Sequence, residues 1–143
     1  MRLIDPKEAE AKIAARYQVF LILWISMLSS LFIFLVVTLV IPSSAPFNRL
    51  MSFLFLGASV LVVIFSLVLK NHFLKRAMAK QEIQSLMNAY VVGFALCDVA
   101  ALLGVLDHMS NNSPYFYFAF IVAGMGLLLH FPKKDHVRAI LFK

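Results

Sequence analysis

Charge is scarce in this chain. Asp, Glu, Lys and Arg make up 14% of its 143 residues, against about 25% in a typical soluble domain. That shortage excludes an ordinary water-soluble fold, which needs ionised side chains over most of its surface. Glycine is also sparse, at five residues, and no glycine-rich loop for cradling phosphate is present. The lone cysteine, Cys97, excludes an intramolecular disulfide and leaves the redox compartment unread. No nucleophile elbow, no His-Glu-x-x-His motif and no pair of carboxylates outside the apolar runs offers a catalytic set, so no enzymatic activity is expected. Long polar loops, low-complexity tracts and internal repeats are missing too, and the chain reads as one domain over 1–143.

Apolar residues fill the space. They form 62% of the sequence, and the mean hydropathy is +0.90. Four runs reach or approach the roughly 20 residues that a helix needs to cross a bilayer: 17–41, 50–69, 86–106 and 114–131. The predicted fold class is therefore an all-α integral membrane protein. Its four transmembrane helices run up and down in antiparallel fashion and close into two hairpins. The first run is too long for a signal-peptide core and reads as an uncleaved anchor.

The net charge of +6 is unevenly placed. Arg2, Lys7, Lys12 and Arg16 precede the first run. Lys70, Lys75, Arg76 and Lys80 lie around the link between the second and third. Lys133, Lys134, Arg138 and Lys143 follow the fourth, and the remaining two loops share only Arg49. The positive-inside rule then puts both termini and the middle link in the cytoplasm. This accounts for the basic balance without nucleic acid, and it favours anionic lipids as partners.

Local signals refine the plan. Asp5, Pro6 and Glu8 form a helix-start box, and Ile4, Ile13 and Tyr17 suit a membrane-facing stripe. Residues 1–16 thus read as a cytoplasmic amphipathic helix at the interface, either separate from the first run or continuous with it. Residues 42–46 make one external turn and 111–114 the other, with Ser113 as the cap and Pro114 as the first residue of the fourth helix. The polar link from 71 to 85 extends its neighbouring helices. Pro132 closes the fourth helix, and 132–143 form a basic cytoplasmic tail.

One acid stands inside an apolar run. Asp98 lies slightly past the middle of the third, where a carboxylate costs about 2.5–3.5 kcal/mol on insertion scales. Ser29, Ser30 and Ser59 fall at a similar depth and are the polar neighbours able to hydrogen-bond it. With no Lys, Arg or His at that depth, desolvation favours the neutral acid. Asp98 is either a helix-pairing residue or an ion carrier. Small residues form a second pattern. Gly93, Cys97, Ala100 and Gly104 line one face of the third helix, and Ala119, Ala123 and Gly126 line the fourth, so the two helices are expected to pack closely. Asp98 points about 130° from the centre of that stripe at 100° per residue. It therefore faces another helix or another protein.

The histidines are weaker signals. His72 and His130 lie near the basic ends of their helices, where two such residues on facing helices can hold a haem, but no supporting outer shell accompanies them. Asp107 with His108 in the external loop, and Asp135 with His136 in the tail, lack metal-site spacing. No cofactor and no metal site is expected.

The stretch Gly93-Phe94-Ala95-Leu96-Cys97-Asp98-Val99-Ala100-Ala101-Leu102-Leu103-Gly104-Val105-Leu106 resembles the carboxylate-bearing helix of rotary ATPase c-subunits, the proteolipids. In that resemblance Asp98 matches the proton- or sodium-carrying acid. The second run departs from the family's alternating glycines, with only Gly57-Ala58-Ser59. The overall layout resembles small four-span bacterial membrane proteins whose last helix ends in a Phe-Pro-basic motif, here Phe131-Pro132-Lys133-Lys134, and this implies topology and a bacterial inner membrane. Three functions follow as expectations. The first is a non-enzymatic accessory subunit that stabilises or assembles a larger membrane complex. The second is an ion-carrying, proteolipid-like protein that uses Asp98, as a homo-oligomer. The third is a small oligomeric transporter of cationic substrates.

Overall fold

The computed structural model describes residues 6–141, so the expected roles of Ile4 and Asp5 lie outside the described residues. Five helices follow in order: α1 (Pro6–Val40), α2 (Arg49–Lys80), α3 (Ile83–Asn111), α4 (Phe116–Leu129) and α5 (Lys134–Leu141). No strand occurs among the described residues. α1, α2 and α3 are each long and apolar enough to cross a membrane, and α4 with α5 passes the same test as one bent pair. The chain is thus an all-α protein with three to four helices capable of spanning a bilayer.

Helix ends follow from local chemistry. Asn48 caps α2 by accepting hydrogen bonds from the backbone N–H groups of Leu50 (3.0 Å) and Met51 (3.4 Å). Gln81 and Asn112 take left-handed backbone conformations, with φ of 54° and 43°, and terminate α2 and α3. The segment before the first run is continuous with it, one of the two arrangements open in the sequence. α1 continues without a break from Pro6, which makes it about 52 Å long at 1.5 Å per residue.

Two boundaries differ from the sequence reading. Pro114 does not open α4. The Ser113 hydroxyl is drawn to Ser52 (2.7 Å) and accepts the Tyr115 N–H (3.1 Å), so residues 114 and 115 form a turn and the helix starts at Phe116. Asp107 and His108 do not sit in a loop either. α3 runs on to Asn111 because the polar residues of its last turn find partners. The tail beyond Pro132 contains α5, which folds back and buries Val137 and Ile140.

α3 is the centre of the bundle and touches every other helix. Among the described residues α1 and α2, although consecutive, make no contact with each other, because α3 and α4 lie between them. The eight-residue link after α1 bridges this gap. It is pinned to α3 by Ser43 Oγ donating to the Met109 carbonyl (3.1 Å) and by a His108 Nε2 contact with the Ile41 carbonyl (3.1 Å). The α1–α2 link and the α3–α4 turn therefore meet at one end of the bundle. The α2–α3 link, the start of α1 and α5 share the other, basic end.

Candidate functional site: polar groups inside the helical bundle

Asp98 projects from α3 toward α1. It is half-buried, Ser30 of α1 is the side chain its carboxyl meets, and among the described residues no cation acts on it. Its Oδ1 atom is buried without a hydrogen-bond partner. Of the three serines expected near it, only Ser30 comes together with it. Ser29 is exposed and donates to its own helix at the Ile25 carbonyl (2.9 Å). Ser59 is buried in the α2–α3 seam, within reach of the Phe55 (2.9 Å) and Ala100 (3.2 Å) carbonyls.

The small-residue stripe lies where α3 and α4 approach. Gly93, Cys97, Ala100, Gly104, Ala119, Ala123 and Gly126 are all buried. A Cβ on Gly104 would stand 2.9 Å from the Ala119 Cβ, and one on Gly126 would stand 2.8 Å from Cys97 Sγ. Gly93 is covered by the His130 ring, which would collide with any Cβ there. These three positions thus leave no room for a Cβ, at Gly104 partly because the Phe116 carbonyl comes close and at Gly93 and Gly126 because neighbouring side chains fill the space.

A buried polar cluster at the end of α4 was not anticipated from the sequence. An α-helix leaves its last four carbonyls unpaired. Here each finds a donor. The Gly126 carbonyl accepts from the His130 backbone N–H (3.0 Å) and from His130 Nδ1 (2.7 Å). Leu127 accepts from Trp24 Nε1 of α1 (2.8 Å), Leu128 from the Phe131 N–H (3.1 Å), and Leu129 from Lys70 Nζ of α2 (3.2 Å). Lys70 is only 8% exposed, and its ammonium also lies 5.0 Å from the Tyr90 ring centre. The partial negative charge at a helix C-terminus and the aromatic face together stabilise this cation.

Tyr90 continues the cluster toward α5. Its hydroxyl meets His136 Nδ1 (2.7 Å) and accepts the Lys133 N–H (3.3 Å). His136 lies at the bundle's basic end. Partial burial, followed by the charges of Lys70 and Lys133, holds its pKa below the usual histidine value, and Asp135 opposes them. His130 does not offer a haem site. It is fully buried, its Nδ1 is bonded, and its Nε2 is packed against Gly93 with no room for an iron, whereas His72 is exposed beside Phe73. Among the described residues no group of three or more His, Cys, Asp or Glu side chains gathers in metal-binding geometry.

A second buried network sits at the opposite end, also unread in the sequence. Asn111 Oδ1 accepts the Asn48 N–H (2.5 Å). Its Nδ2 lies within bonding distance of the Asn48 carbonyl (2.9 Å), Ser52 Oγ (2.8 Å) and Asp107 Oδ1 (3.2 Å). The Ser52 hydroxyl reaches Asp107 Oδ1 (3.0 Å) and Ser113 Oγ. The available signal was the four-residue spacing of Asp107 and Asn111, which puts both on one helical face.

The fold and these sites define an all-helical chain suited to a multi-pass membrane protein, whose internal polar groups mostly tie helices together. No family model matches the chain, and neither a curated protein nor a solved structure matches it.

Proposed function

We propose that this chain is a non-enzymatic integral membrane subunit that stabilises or helps assemble a larger complex of the bacterial inner membrane, with its basic end and both termini in the cytoplasm. The observation that carries this reading is Asp98. Its carboxyl lies in the α1–α3 seam, meets the Ser30 side chain and leaves Oδ1 unpaired, with no cation beside it among the described residues. An acid inside a membrane segment is costly and marks a partner or a path for ions. Lys70, Tyr90, His130, Asp107 and Asn111 are by contrast engaged with other helices or with their own helix end. The test is mild-detergent purification from the native membrane, comparing wild type with Asp98→Asn and Asp98→Leu. Stoichiometric larger membrane proteins should accompany wild type and Asp98→Asn, and be lost with Asp98→Leu. A wild-type protein recovered without partners overturns the reading.

The unpaired oxygen and the c-subunit resemblance favour a second reading, in which Asp98 carries a proton or sodium ion within a homo-oligomer. A hydrophobic carbodiimide then modifies Asp98, and Asp98→Asn abolishes ion flux in reconstituted vesicles. An unmodified Asp98, or normal flux in the variant, refutes it.

A further inference from the structure

At the basic end, α2 and α3 diverge around the Gln81–Glu82 link and leave a cleft of about 360 Å³ between them. Its wall changes character along the helix axes. Nearest the link are Lys80 of α2 and Ser85 of α3. One turn further in are Arg76 and Asn88. Phe73 of α2 and the valines 91 and 92 of α3 close the inner end. From Lys80 to Phe73, and from Ser85 to Val92, is seven residues, or about 10 Å of helix. A basic mouth thus leads through a hydrogen-bonding band to an apolar floor, on helices long and apolar enough to span a membrane.

We infer that this cleft binds one anionic phospholipid, with its phosphate between Arg76 and Lys80, its ester region beside Asn88 and Ser85, and the start of an acyl chain against Phe73 and Val92. Charge complementarity selects this occupant. Among the described residues neither Arg76 nor Lys80 forms an ion pair. Glu82, the acid of the link, is outside the cleft lining and accepts the Ser85 hydroxyl (2.8 Å). The lining therefore carries two cations and no anion, and the Glu82 carboxylate stands at its rim beside Ser85. Arg offers a planar fork to phosphate oxygens and Lys a compact point charge. A free phosphate would satisfy the mouth but leave the apolar floor uncovered, whereas a lipid covers both. The site is independent of Asp98, which faces α1.

The test uses the full chain in detergent, with dioleoyl phosphatidylglycerol, dioleoyl phosphatidylcholine and inorganic phosphate as probes, and bound lipid counted by native mass spectrometry. Phosphatidylglycerol should be retained over phosphatidylcholine. The Arg76→Gln/Lys80→Gln double variant should weaken it about 25-fold, or about fivefold per cation, while Lys12→Gln/Lys75→Gln changes it far less. Val92→Phe should also weaken it, and excess phosphate should not displace it. Equal weakening by both double variants overturns the site in favour of diffuse surface charge. Displacement by phosphate together with an inert Val92→Phe overturns it in favour of a small-anion site. If the double variant fails to fold, a photoreactive phosphatidylglycerol on the wild-type protein decides. Labelling within 73–92 supports the site, and labelling confined to α1 or α4 refutes it.

Discussion

Asn111→Ala tests whether the network at the turn end holds the bundle together. The side chain sits 3% exposed between α2, α3 and the α3–α4 turn. Its removal leaves the Asn48 N–H without the Asn111 Oδ1 acceptor, and Asp107 Oδ1 keeps only Ser52. The Asn48 carbonyl retains the Ser52 N–H (3.2 Å), so it is not orphaned. Asn48 is itself an exposed residue, so water can replace Asn111 at its N–H and the penalty of about 1–3 kcal/mol for a stranded buried donor does not apply in full. Side-chain hydrogen bonds in membrane proteins average about 0.6 kcal/mol, because the unfolded state in lipid also finds partners. With the hydrogen bonds of the Asn111 amide removed at about 0.6 kcal/mol each, the expected cost is about 1–2 kcal/mol. Equilibrium unfolding in mixed micelles measures it, with the exposed Ser110→Ala as reference. A double-mutant cycle with Ser52→Ala should show a coupling of about 0.6–1.7 kcal/mol. A cost indistinguishable from that of Ser110→Ala, or zero coupling, refutes the claim that the network is a structural latch.

Two further outcomes are expected. Gly126→Ala pushes a methyl to 2.8 Å from Cys97 Sγ and 3.0 Å from a Val63 methyl, which should cost about 1–3 kcal/mol by overpacking, whereas Gly124→Ala enters open space and should not destabilise; equal melting curves for the two variants refute the stripe as a contact. For α5, the His136 pKa is held below the ordinary 6.5 in the docked state, mainly by burial, so an undocked α5 binds protons more readily. Docking is at full strength above about pH 6.5 and weakens as pH falls below it, so hydrogen-exchange protection factors over 134–140, corrected for the intrinsic rate at each pH, should fall on acidification in wild type but not in His136→Leu.

Much of the frame was readable because membrane spans depend on length and hydropathy, which need no tertiary information. The same holds for the small-residue stripe: its spacing of three and four fixes a helical face whatever that face meets. The direction of Asp98, away from the stripe, followed from the same angular arithmetic. Ser30 beside Asp98 apart, the partners of the polar residues were not readable. Lys70 looks like a basic residue at a span boundary, yet it is buried because α4 stops at Leu129 and presents bare carbonyls to α2. Asp107 looks like a loop residue because it follows an apolar run, and only the arrival of Ser52 from α2 makes its burial tolerable. The packing of α3 between α1 and α2 was likewise hidden, since a link of eight residues permits neighbours to pair or to part.

The shortness of α4 explains most of the polar chemistry inside this protein. At 14 residues it is about 21 Å long, well short of a bilayer's apolar core of about 30 Å, so its C-terminal carbonyls end among the other helices. Unpaired backbone groups there would each cost several kcal/mol. The chain meets that demand with Trp24 from α1, Lys70 from α2, and the side chain and backbone of His130. Tyr90 then supports Lys70 and ties in α5. These groups are conditions of folding, and their unusual positions carry no separate functional message. Asp98 stands outside this accounting. It caps no helix and pairs with no cation among the described residues, and it leaves one oxygen unpaired in the α1–α3 seam. Asp98 is costly to insert and meets only the Ser30 side chain in the fold, which is why the proposed function rests on Asp98 and not on the more elaborate cluster around Lys70.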